Sequence, residues 1–269
     1  MANDKHIVLI TGANTGIGYE TVKAYLRSST PFHIFVGART VEKGQKAIAT
    51  ATQEVPGSSS VLEPVAIELA SDESIAQAFE TINAKVDRID TLVNNAGAAF
   101  DSQNFADDIL NSREIFNKAY DVNVTGTHII TATFVPLLIK SSSPRLIFIT
   151  SGLSTLTAHS KSFYPPWAPQ PEAGWPKPGI VATLGYKSSK TALNMVMLNW
   201  HWLLLNDGVK TFAISPGFLA TNLGGDPEAL KAMGAGDPAI GGEFIRDVTE
   251  GKRDADAGKV LSKDGTQEW

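Results

Sequence analysis

The sequence predicts an α/β fold: a single domain, residues 1–269, with one doubly wound parallel sheet and helices on both faces. Short apolar runs such as His6–Ile10 and residues 145–150 are rich in β-branched residues, which is typical of strands buried on both faces. Longer stretches that can form helices separate these runs, as expected of parallel strands joined by crossovers. A length of 269 residues suits one such sheet, and no internal repeat is seen.

The composition favours a small neutral or apolar partner over a nucleic acid or a membrane. The chain has 23 basic and 28 acidic residues, a net charge of -5, and no block of like charge. It contains no cysteine, which excludes disulfides and thiolate chemistry. None of its five histidines stands at a metal-ligand spacing, so we expect no metal. Without a signal-like or membrane-spanning apolar run, we expect a cytoplasmic protein.

The first strand, His6–Ile10, runs directly into a glycine-rich turn that leads into a helix-like stretch. Such a turn directs backbone N–H groups and the positive end of the helix dipole to one spot, where glycines let a pyrophosphate approach. Its spacing differs from the G-x-G-x-x-G fingerprint, and a tight turn that needs glycine only for its backbone remains the alternative. The position directly after a buried strand favours nucleotide binding. The glycines are Gly12, Gly16 and Gly18.

The end of the second predicted strand, residues 33–36, bears on cofactor choice. An acidic side chain there would bind the adenosine ribose of NAD, whereas an arginine would bind the 2′-phosphate of NADP. The residue is Arg39, followed by Thr40 as the expected cap of the next helix. An exposed arginine on a capping loop is the alternative interpretation.

Three further strands are predicted at residues 62–69, 89–93 and 145–150. A helix is expected from Ser71, and a longer helix-like region covers residues 109–140, where Asn123 indicates a kink or a local hydrogen bond. Ligands gather at the carboxyl ends of strands in open α/β sheets, so the residues just past each strand are candidates for the site. These residues are Gly12, Arg39, Glu68, Asn95 and Ser151.

The segment 152–185 is too long and too rich in proline and aromatic residues to be a simple connection. We interpret it as a substrate loop, with Trp175 as a candidate contact, although a peripheral surface excursion is equally compatible with each aromatic residue. Residues 218–240 are interpreted as a second substrate loop, and the wider stretch 224–242 is expected to be mobile because it is rich in glycine.

Tyr186 and Lys190 lie four residues apart and therefore share one face of a helix. A phenol titrates near pH ~10, and an adjacent ammonium favours its phenolate and lowers its pKa. The pair alone is a weak signal, since both residue types are common on helix surfaces. The helix continues through residues 188–205, where Met195, Met197 and Trp202 are expected in the core together with Trp200.

The remaining predicted elements are a strand at residues 209–214, a short helix at 241–249 and a last strand at 259–261. The first of these ends at Pro216-Gly217-Phe218, with Thr221 close behind. A G-x-S-x-G elbow around Ser151 is absent from the sequence, so serine-hydrolase chemistry is not indicated.

In order, the turn Thr11-Gly12-x-x-x-Gly16-Ile17-Gly18, Asn94-Asn95-Ala96-Gly97, Asn123, Ser151, Tyr186-x-x-x-Lys190 and Pro216-Gly217 resemble the short-chain dehydrogenase/reductase family over nearly the whole chain. The resemblance is closer still to its monomeric carbonyl reductases, which share the Ala38-Arg39 strand end, an enlarged segment before the tyrosine and a C-terminus like Gln267-Glu268-Trp269. It implies a Rossmann-type sheet, NADP(H) and reversible reduction of a ketone or aldehyde.

The resemblance also implies catalytic roles by position. Tyr186 would give a proton to the carbonyl oxygen, and Ser151 would hydrogen-bond that oxygen. Lys190 would lower the pKa of the tyrosine, together with the charge of the oxidised nicotinamide, and would bind the nicotinamide ribose. Asn123 would hold a water that relays protons to Lys190. The substrate is expected to contact Ser151, Tyr186, Phe218 and Trp175.

The cofactor is expected along the strand ends. The family has Asp and a small aliphatic residue at the adenine position, where this chain has Glu68 and Leu69, and Thr15 stands where a basic residue is common. Phosphate recognition would therefore depend on Arg39. The expected cofactor residues are Gly12, Asn14, Thr15, Gly16, Ile17, Gly18, Arg39, Thr40, Glu68, Leu69, Asn95, Ala96, Gly97, Tyr186, Lys190, Pro216, Gly217 and Thr221.

The activity expected is therefore NADPH-dependent reduction of a bulky, apolar or aromatic carbonyl substrate. A non-catalytic NADP(H)-binding sensor or scaffold is an alternative, as is an alcohol dehydrogenase that works in the oxidative direction. A monomer is expected, because the segment before Tyr186 would block the helix surface on which most family members form tetramers.

Overall fold

Eight strands form one sheet in the computed structural model, which describes residues 5–101, 113–161, 172–175 and 183–269. The strand order is β3-β2-β1-β4-β5-β6-β7-β8; all neighbours are parallel except β7 and β8. The strands are β1 His6–Ile10, β2 Phe32–Ala38, β3 Val61–Ala66, β4 Thr91–Asn94, β5 Arg145–Ile149, β6 Lys210–Ile214, β7 Val260–Ser262 and β8 Gly265–Gln267. The prediction of a doubly wound, Rossmann-type sheet is confirmed.

The strand order reverses between β1 and β4, the neighbours at the centre of the sheet. Val8 of β1 pairs with Ile34 on one side and with Thr91 on the other. The residues after β1 and β4 therefore meet at the crevice where open α/β sheets bind ligands. This crevice is the frame of the candidate site.

The helices flank the sheet on both faces. They are α1 Gly16–Leu26, α2 Val41–Glu54, α3 Asp72–Asn83, α4 Arg113–Tyr120, α5 Thr127–Leu138, α6 Leu156–Ser160, α7 Leu184–Leu203, α8 Pro227–Ala232 and α9 Pro238–Thr249. A single π-helical turn, Asp121–Gly126, joins α4 to α5.

Two hydrophobic clusters form the core, one on each face of the sheet. Leu9 of β1 belongs to the cluster that includes Phe134 of α5, whereas its neighbour Val8 belongs to the cluster that includes Ile245 of α9. Successive side chains of a strand point to opposite faces, so each apolar run supplies both clusters. This double burial explains why the strands lack a polar alternation.

Several predicted boundaries differ from the structure. Strand β3 ends at Ala66 and not at residue 69, because the chain turns into α3, where Ser71 accepts a hydrogen bond from Ser74 N at 3.2 Å. The helix expected over residues 109–140 is interrupted by the π-helical turn around Asn123, and residues 109–112 lie outside the described residues.

The last part of the chain is more regular than the sequence indicates. The stretch 224–242, expected to be mobile, contains α8 and the start of α9, which are capped by Asp226 and Asp237. The prediction stopped at the last parallel strand, whereas the chain turns back to form β8 as an antiparallel edge strand.

The prediction that all four large residues of α7 lie in the core is wrong for two of them. Met197 and Trp200 are buried, but Met195 is 61% exposed and Trp202 is 73% exposed. These two are seven residues apart and lie on the same face of α7, opposite the sheet. No described helix has the length and apolar character needed to cross a membrane.

Candidate active site

The glycine-rich turn lies at the end of β1 and packs directly against the segment after β4. Gly12 adopts a φ of 62°, and a Cβ there would lie 2.9 Å from the Cα of Ala96. Gly16 adopts a φ of 56°, which also favours glycine. Thr15 precedes α1 in extended conformation, and its side chain forms no cap. The first N–H groups of α1 are therefore left without a side-chain acceptor from Thr15.

Thr11 and Asn95 clamp this turn. The Thr11 hydroxyl accepts hydrogen bonds from Asn95 N at 3.0 Å and Ala96 N at 2.9 Å. Asn95 Nδ2 donates to the Thr11 carbonyl at 2.9 Å and to the Gly12 carbonyl at 3.1 Å. A Cβ at Gly18 would lie 2.4 Å from the same Nδ2. The Asn95 side chain, predicted as a cofactor contact, is thus committed to shaping the turn.

The end of β2 presents a free cation. Arg39 is exposed, and no carboxylate in the described part of the chain forms an ion pair with it. Thr40 caps α2 by accepting a hydrogen bond from Lys43 N at 3.4 Å. Its hydroxyl therefore has a structural role already, while the guanidinium of Arg39 remains available for an anion.

The two residues predicted at the adenine differ in their surroundings. Glu68 is half-buried: its N–H donates to the Ser74 hydroxyl at 3.0 Å, and its Oε1 accepts from Ala70 N at 3.4 Å. Leu69 is 5% exposed and belongs to the core, where its carbonyl would be 2.1 Å from a Cβ at Gly126. The side chain of Leu69 is thus used for packing, so a role at the adenine would fall to its main chain.

Asn123 lies in the π-helical turn and is fully buried. Its Oδ1 accepts from Ala98 N at 2.8 Å, and its Nδ2 donates to the Ala98 carbonyl at 2.9 Å and to the Ser189 hydroxyl at 3.0 Å. Ser189 in turn donates to the Tyr186 carbonyl at 2.8 Å. The side chain of Asn123 therefore joins the loop after β4 to α7. The expectation that Asn123 holds a water that relays protons to Lys190 stays a prediction, and with the side chain engaged it would fall to the main-chain carbonyl.

Lys190 points from α7 into the space between Gly97 and β5. It is 3% exposed and donates to the Ile149 carbonyl at 2.9 Å. A Cβ at Gly97 would lie 3.1 Å from both Lys190 Nζ and Asn123 Oδ1, so only glycine leaves room for them. Burial lowers the pKa of Lys190 to about 8. The ammonium is thus close to titration near neutral pH.

Tyr186 lies in the first turn of α7 and is partly buried between Ser151 and Lys190. Its ring centroid is 5.8 Å from Lys190 Nζ. Burial raises the pKa of the phenol, the hydrogen bond to Ser151 lowers it, and the charge of Asp101 raises it further, with a net rise. Lys190 donates its hydrogen bond to the Ile149 carbonyl, and the lowering of the Tyr186 pKa by Lys190 together with the oxidised nicotinamide stays a prediction.

Ser151 is held at the end of β5 by a tight turn. Its hydroxyl accepts from Leu153 N at 3.1 Å and hydrogen-bonds the phenol of Tyr186. Its carbonyl accepts from the Ser154 hydroxyl at 2.6 Å and from Gln267 Nε2 at 3.3 Å. Ser154 is 1% exposed and also receives a hydrogen bond from Asn194 at 3.0 Å. Ser154 was not singled out from the sequence, and Gln267 was named only as part of the C-terminus, without a contact to Ser151.

The end of β6 completes the crevice. Thr221 lies beside Gly16, since a Cβ there would be 3.6 Å from the Thr221 side chain. A Cβ on Gly241 of α9 would be 3.3 Å from Ile17 and 3.4 Å from Pro216, so α9 packs on both. Gly217 adopts a φ of 99°.

Two of the four predicted substrate residues are exposed. Phe218 is 55% exposed at the end of β6, and Trp175 is 65% exposed. Residues 162–171 and 176–182 of the first substrate loop lie outside the described residues. The second loop, residues 218–240, is described throughout. Among the described residues, no group of three His, Asp or Glu side chains could hold a metal ion.

Asp101 is a further residue that the sequence did not reveal. It is 3% exposed in the segment after β4, and its Oδ2 accepts from Tyr186 N at 3.1 Å. No motif marks it, because the contact joins residues 85 positions apart.

Comparisons with known proteins agree with this arrangement. The sequence profile described as short chain dehydrogenase matches residues 6–165. The chain is 47% identical over 270 residues to short-chain dehydrogenase/reductase tropE of Talaromyces stipitatus, covering 98% of this chain and 97% of that protein. It is 46% identical over 278 residues to short-chain dehydrogenase/reductase eupG of Phoma sp, covering 100% and 99%.

Solved structures share the fold. The NADPH-bound carbonyl reductase from chicken fatty liver matches with a TM-score of 0.78 at 22% identity, covering 99% of this chain and all of that one. The carbonyl reductase Sniffer of D. melanogaster matches with a TM-score of 0.75 at 21% identity, covering 98% and 100%. With the profile match and the two relatives of nearly equal length, these findings show that the chain belongs to the short-chain dehydrogenase/reductase family of oxidoreductases.

Proposed function

We propose that the protein is an NADPH-dependent reductase of a ketone or aldehyde. The observation that carries the proposal is the convergence of Ser151, Tyr186, Lys190 and Asn123 beside the glycine-rich turn. A phenol next to a serine hydroxyl, with a buried ammonium within reach, is suited to giving a proton to a carbonyl oxygen.

The residues around the crevice fit a dinucleotide phosphate. The turn from Gly12 to Gly18 brings backbone N–H groups and the start of α1 together, with glycine at the close contacts. Arg39, without an ion-pair partner in the described part of the chain, suits a 2′-phosphate through its charged fork. Bound there, NADPH would supply the hydride. The NADPH named with the chicken carbonyl reductase also supports this choice.

The side chains of this protein would orient the carbonyl group and move the proton. The Ser151 hydroxyl, which hydrogen-bonds the phenol of Tyr186, would donate to the carbonyl oxygen of a bound substrate. A phenol is already protonated at neutral pH, as a proton donor requires, and the raised pKa of Tyr186 does not change that. Lys190 holds an ammonium next to the ring, from which the phenol can recover a proton.

We infer a bulky, apolar or aromatic substrate. The exposed Phe218 at the end of β6 offers a large apolar contact near the site. Trp175 is proposed as a second contact, on the strength of its position in the segment 152–185. The site offers no arginine or lysine beyond Arg39 and Lys190 among its proposed residues, which argues against an anionic substrate.

The test measures NADPH oxidation with a panel of aromatic ketones, aldehydes and quinones, with NADH as the comparison. Replacement of Tyr186 by Phe should lower kcat by roughly 10²–10⁴-fold and leave NADPH affinity nearly unchanged, because only the proton donor is lost. No turnover with any carbonyl, despite bound NADPH, would contradict the proposal. A sensor or scaffold would be indifferent to Tyr186→Phe, and an oxidative alcohol dehydrogenase would turn over alcohols with NADP⁺ in preference.

We also propose that the protein is a monomer, because the segment before Tyr186 would block a tetramer surface. We propose a cytoplasmic location from the sequence alone. The exposed Met195 and Trp202 on α7 argue in the other direction, since a second copy would cover them. Light scattering of the wild type and of Trp202→Glu decides between the two: a monomer gives the same mass for both, whereas an assembly through α7 dissociates in the variant.

A further inference from the structure

Asp101 contacts the first turn of α7 at the catalytic tyrosine itself. Its Oδ2 accepts a hydrogen bond from Tyr186 N at 3.1 Å. A Cβ on Gly185 would lie 3.4 Å from this oxygen and 3.7 Å from Ala119 of α4. The carboxylate, which belongs to the segment after β4, therefore occupies a narrow space beside the start of α7 and the end of α4.

This contact replaces a missing cap. The first N–H groups of a helix need acceptors from outside the helix, and Thr183 before α7 provides no side-chain cap. Asp101 supplies one from a segment 85 residues away, at the end of the helix where the dipole favours an anion. The position of Tyr186 is thus fixed from both directions, by Asp101 at its N–H and by Ser189 at its carbonyl.

The free-energy cost of burying the Asp101 carboxylate indicates that Asp101 does more than cap α7. Asp101 is 3% exposed, and its second oxygen, Oδ1, is buried without a hydrogen bond in the described part of the chain. Burying a carboxylate with an unsatisfied oxygen is expensive, and an uncharged Ser, Thr or Asn would cap the helix without that cost. The negative charge is what distinguishes Asp101 from these residues.

We propose that Asp101 is a positioning residue for the reaction, which holds Tyr186 at the start of α7 and places a fixed negative charge near its phenol. The inference rests on the proposed role of Tyr186 as proton donor. A nearby anion disfavours the phenolate, so Asp101 raises the pKa of the phenol.

Several groups of the described part of the chain surround the tyrosine. Asp101 faces it from the segment after β4, Lys190 from its own helix and Ser151 from the end of β5. The neighbouring part of α4 contributes the apolar Ile115 and Ala119. Asp101 is thus the anionic group among these described neighbours.

The experiment compares Asp101→Asn, Asp101→Ala and Ser71→Ala in the full chain. Asparagine keeps an oxygen for Tyr186 N but removes the charge, and alanine removes both. Ser71 caps α3 away from the proposed catalytic groups, so Ser71→Ala controls for a lost helix cap. Thermal unfolding verifies that each variant folds.

The first readout is the ultraviolet titration of the phenol without cofactor or substrate, with the Tyr186→Phe spectrum subtracted. We expect its midpoint to move to lower pH in Asp101→Asn and to stay in place in Ser71→Ala. The second is kcat for carbonyl reduction, which should fall about 10-fold in Asp101→Ala, where Tyr186 is no longer held, and less in Asp101→Asn.

An unchanged titration midpoint in Asp101→Asn would overturn the inference, whatever the activity. A shifted midpoint in a protein that turns over no carbonyl would leave the relation between Asp101 and Tyr186 standing and overturn the proposed function instead. The two failures are therefore distinguishable, because the titration needs neither NADPH nor a substrate.

Discussion

The nucleotide side and the substrate side of the crevice are built in different ways. On the nucleotide side, Gly12 and Gly18 lie so close to Ala96 and to the Asn95 side chain that a Cβ would clash. On the substrate side, Ser151 is held by separate hydrogen bonds from its own turn and from Gln267, and Phe218 is largely exposed. The first is a fixed cradle, and the second is a surface whose shape depends on the segments around it.

This difference determines where sequence changes are tolerated. Close contacts leave no room for a Cβ at Gly12 or Gly18, whereas the separate hydrogen bonds to Ser151 can be lost one at a time. Substitutions on the nucleotide side should therefore have large effects, and substitutions on the substrate side should have graded ones.

Gly18→Ala tests whether the nucleotide side is as inflexible as its contacts indicate. The added Cβ would lie 2.4 Å from Asn95 Nδ2 and 2.5 Å from the Gly12 carbonyl, so the turn must shift. We expect a loss of about 1–3 kcal/mol in the free energy of unfolding. NADPH affinity, measured by fluorescence titration, should fall roughly 10–100-fold, since the shifted groups line the proposed pyrophosphate site.

Gly57→Ala is the matched control. Gly57 adopts a φ of 81° in open space, so alanine there costs only the strain of the left-handed backbone, about 1–2 kcal/mol. Its NADPH affinity should equal that of the wild type. If Gly18→Ala bound NADPH as tightly as Gly57→Ala, the nucleotide side would tolerate a shift of its turn, and the expected difference between the two sides would be contradicted.

Lys190 lies where the two sides meet, and its titration links them. Its pKa of about 8 in the folded protein means that the ammonium is present below that pH and is lost as the pH rises through it. The rate of carbonyl reduction should therefore be level below about pH 8 and fall above it, by roughly 10-fold per pH unit at the limit. The pH profile of kcat measures this.

Replacement of Lys190 by Met should give a low rate without this decline. Lys187→Met, one turn earlier on α7, should keep the profile of the wild type, because the ammonium that lies near the Tyr186 ring and donates to the Ile149 carbonyl is that of Lys190. A decline above pH 8 that persisted in Lys190→Met would assign the titration to another group.

Gln267→Ala tests the graded behaviour of the substrate side. The side chain donates to the Ser151 carbonyl and to the Ser154 hydroxyl, each at 3.3 Å. The Ser151 carbonyl keeps two other hydrogen bonds, from the N–H and the hydroxyl of Ser154. We therefore expect Gln267→Ala to raise the activation free energy by about 1 kcal/mol, which lowers kcat roughly 5-fold. Thr266→Ala, a change at an exposed residue of the same strand, should leave kcat unchanged. A loss of kcat in Gln267→Ala as large as that in Tyr186→Phe would contradict the graded behaviour expected of the substrate side.

Much of the framework was predictable because its signals are local. The apolar run of β1, the glycines after it and the cap at Thr40 each act within a few residues, so their spacing reveals them. The paired position of Tyr186 and Lys190 on α7 follows from the helical repeat in the same way.

The features that were missed depend on contacts between distant residues. Gln267 reaches Ser151 across 116 positions, and Asp101 reaches Tyr186 across 85. The outward direction of Trp202 was also missed, because an apolar helix is interpreted as core unless its neighbours are known.

The sequence by itself determined which chemical groups this protein has and in which order they occur, because turns and helices set their spacing locally. It did not determine the acidity of Tyr186, for which a lowered pKa was predicted from Lys190 together with the charge of the oxidised nicotinamide. Only the tertiary structure brings burial and the charge of Asp101 to the phenol, and together they outweigh the hydrogen bond from Ser151. A pKa depends on everything that surrounds a group in space, and most of that lies far away along the chain.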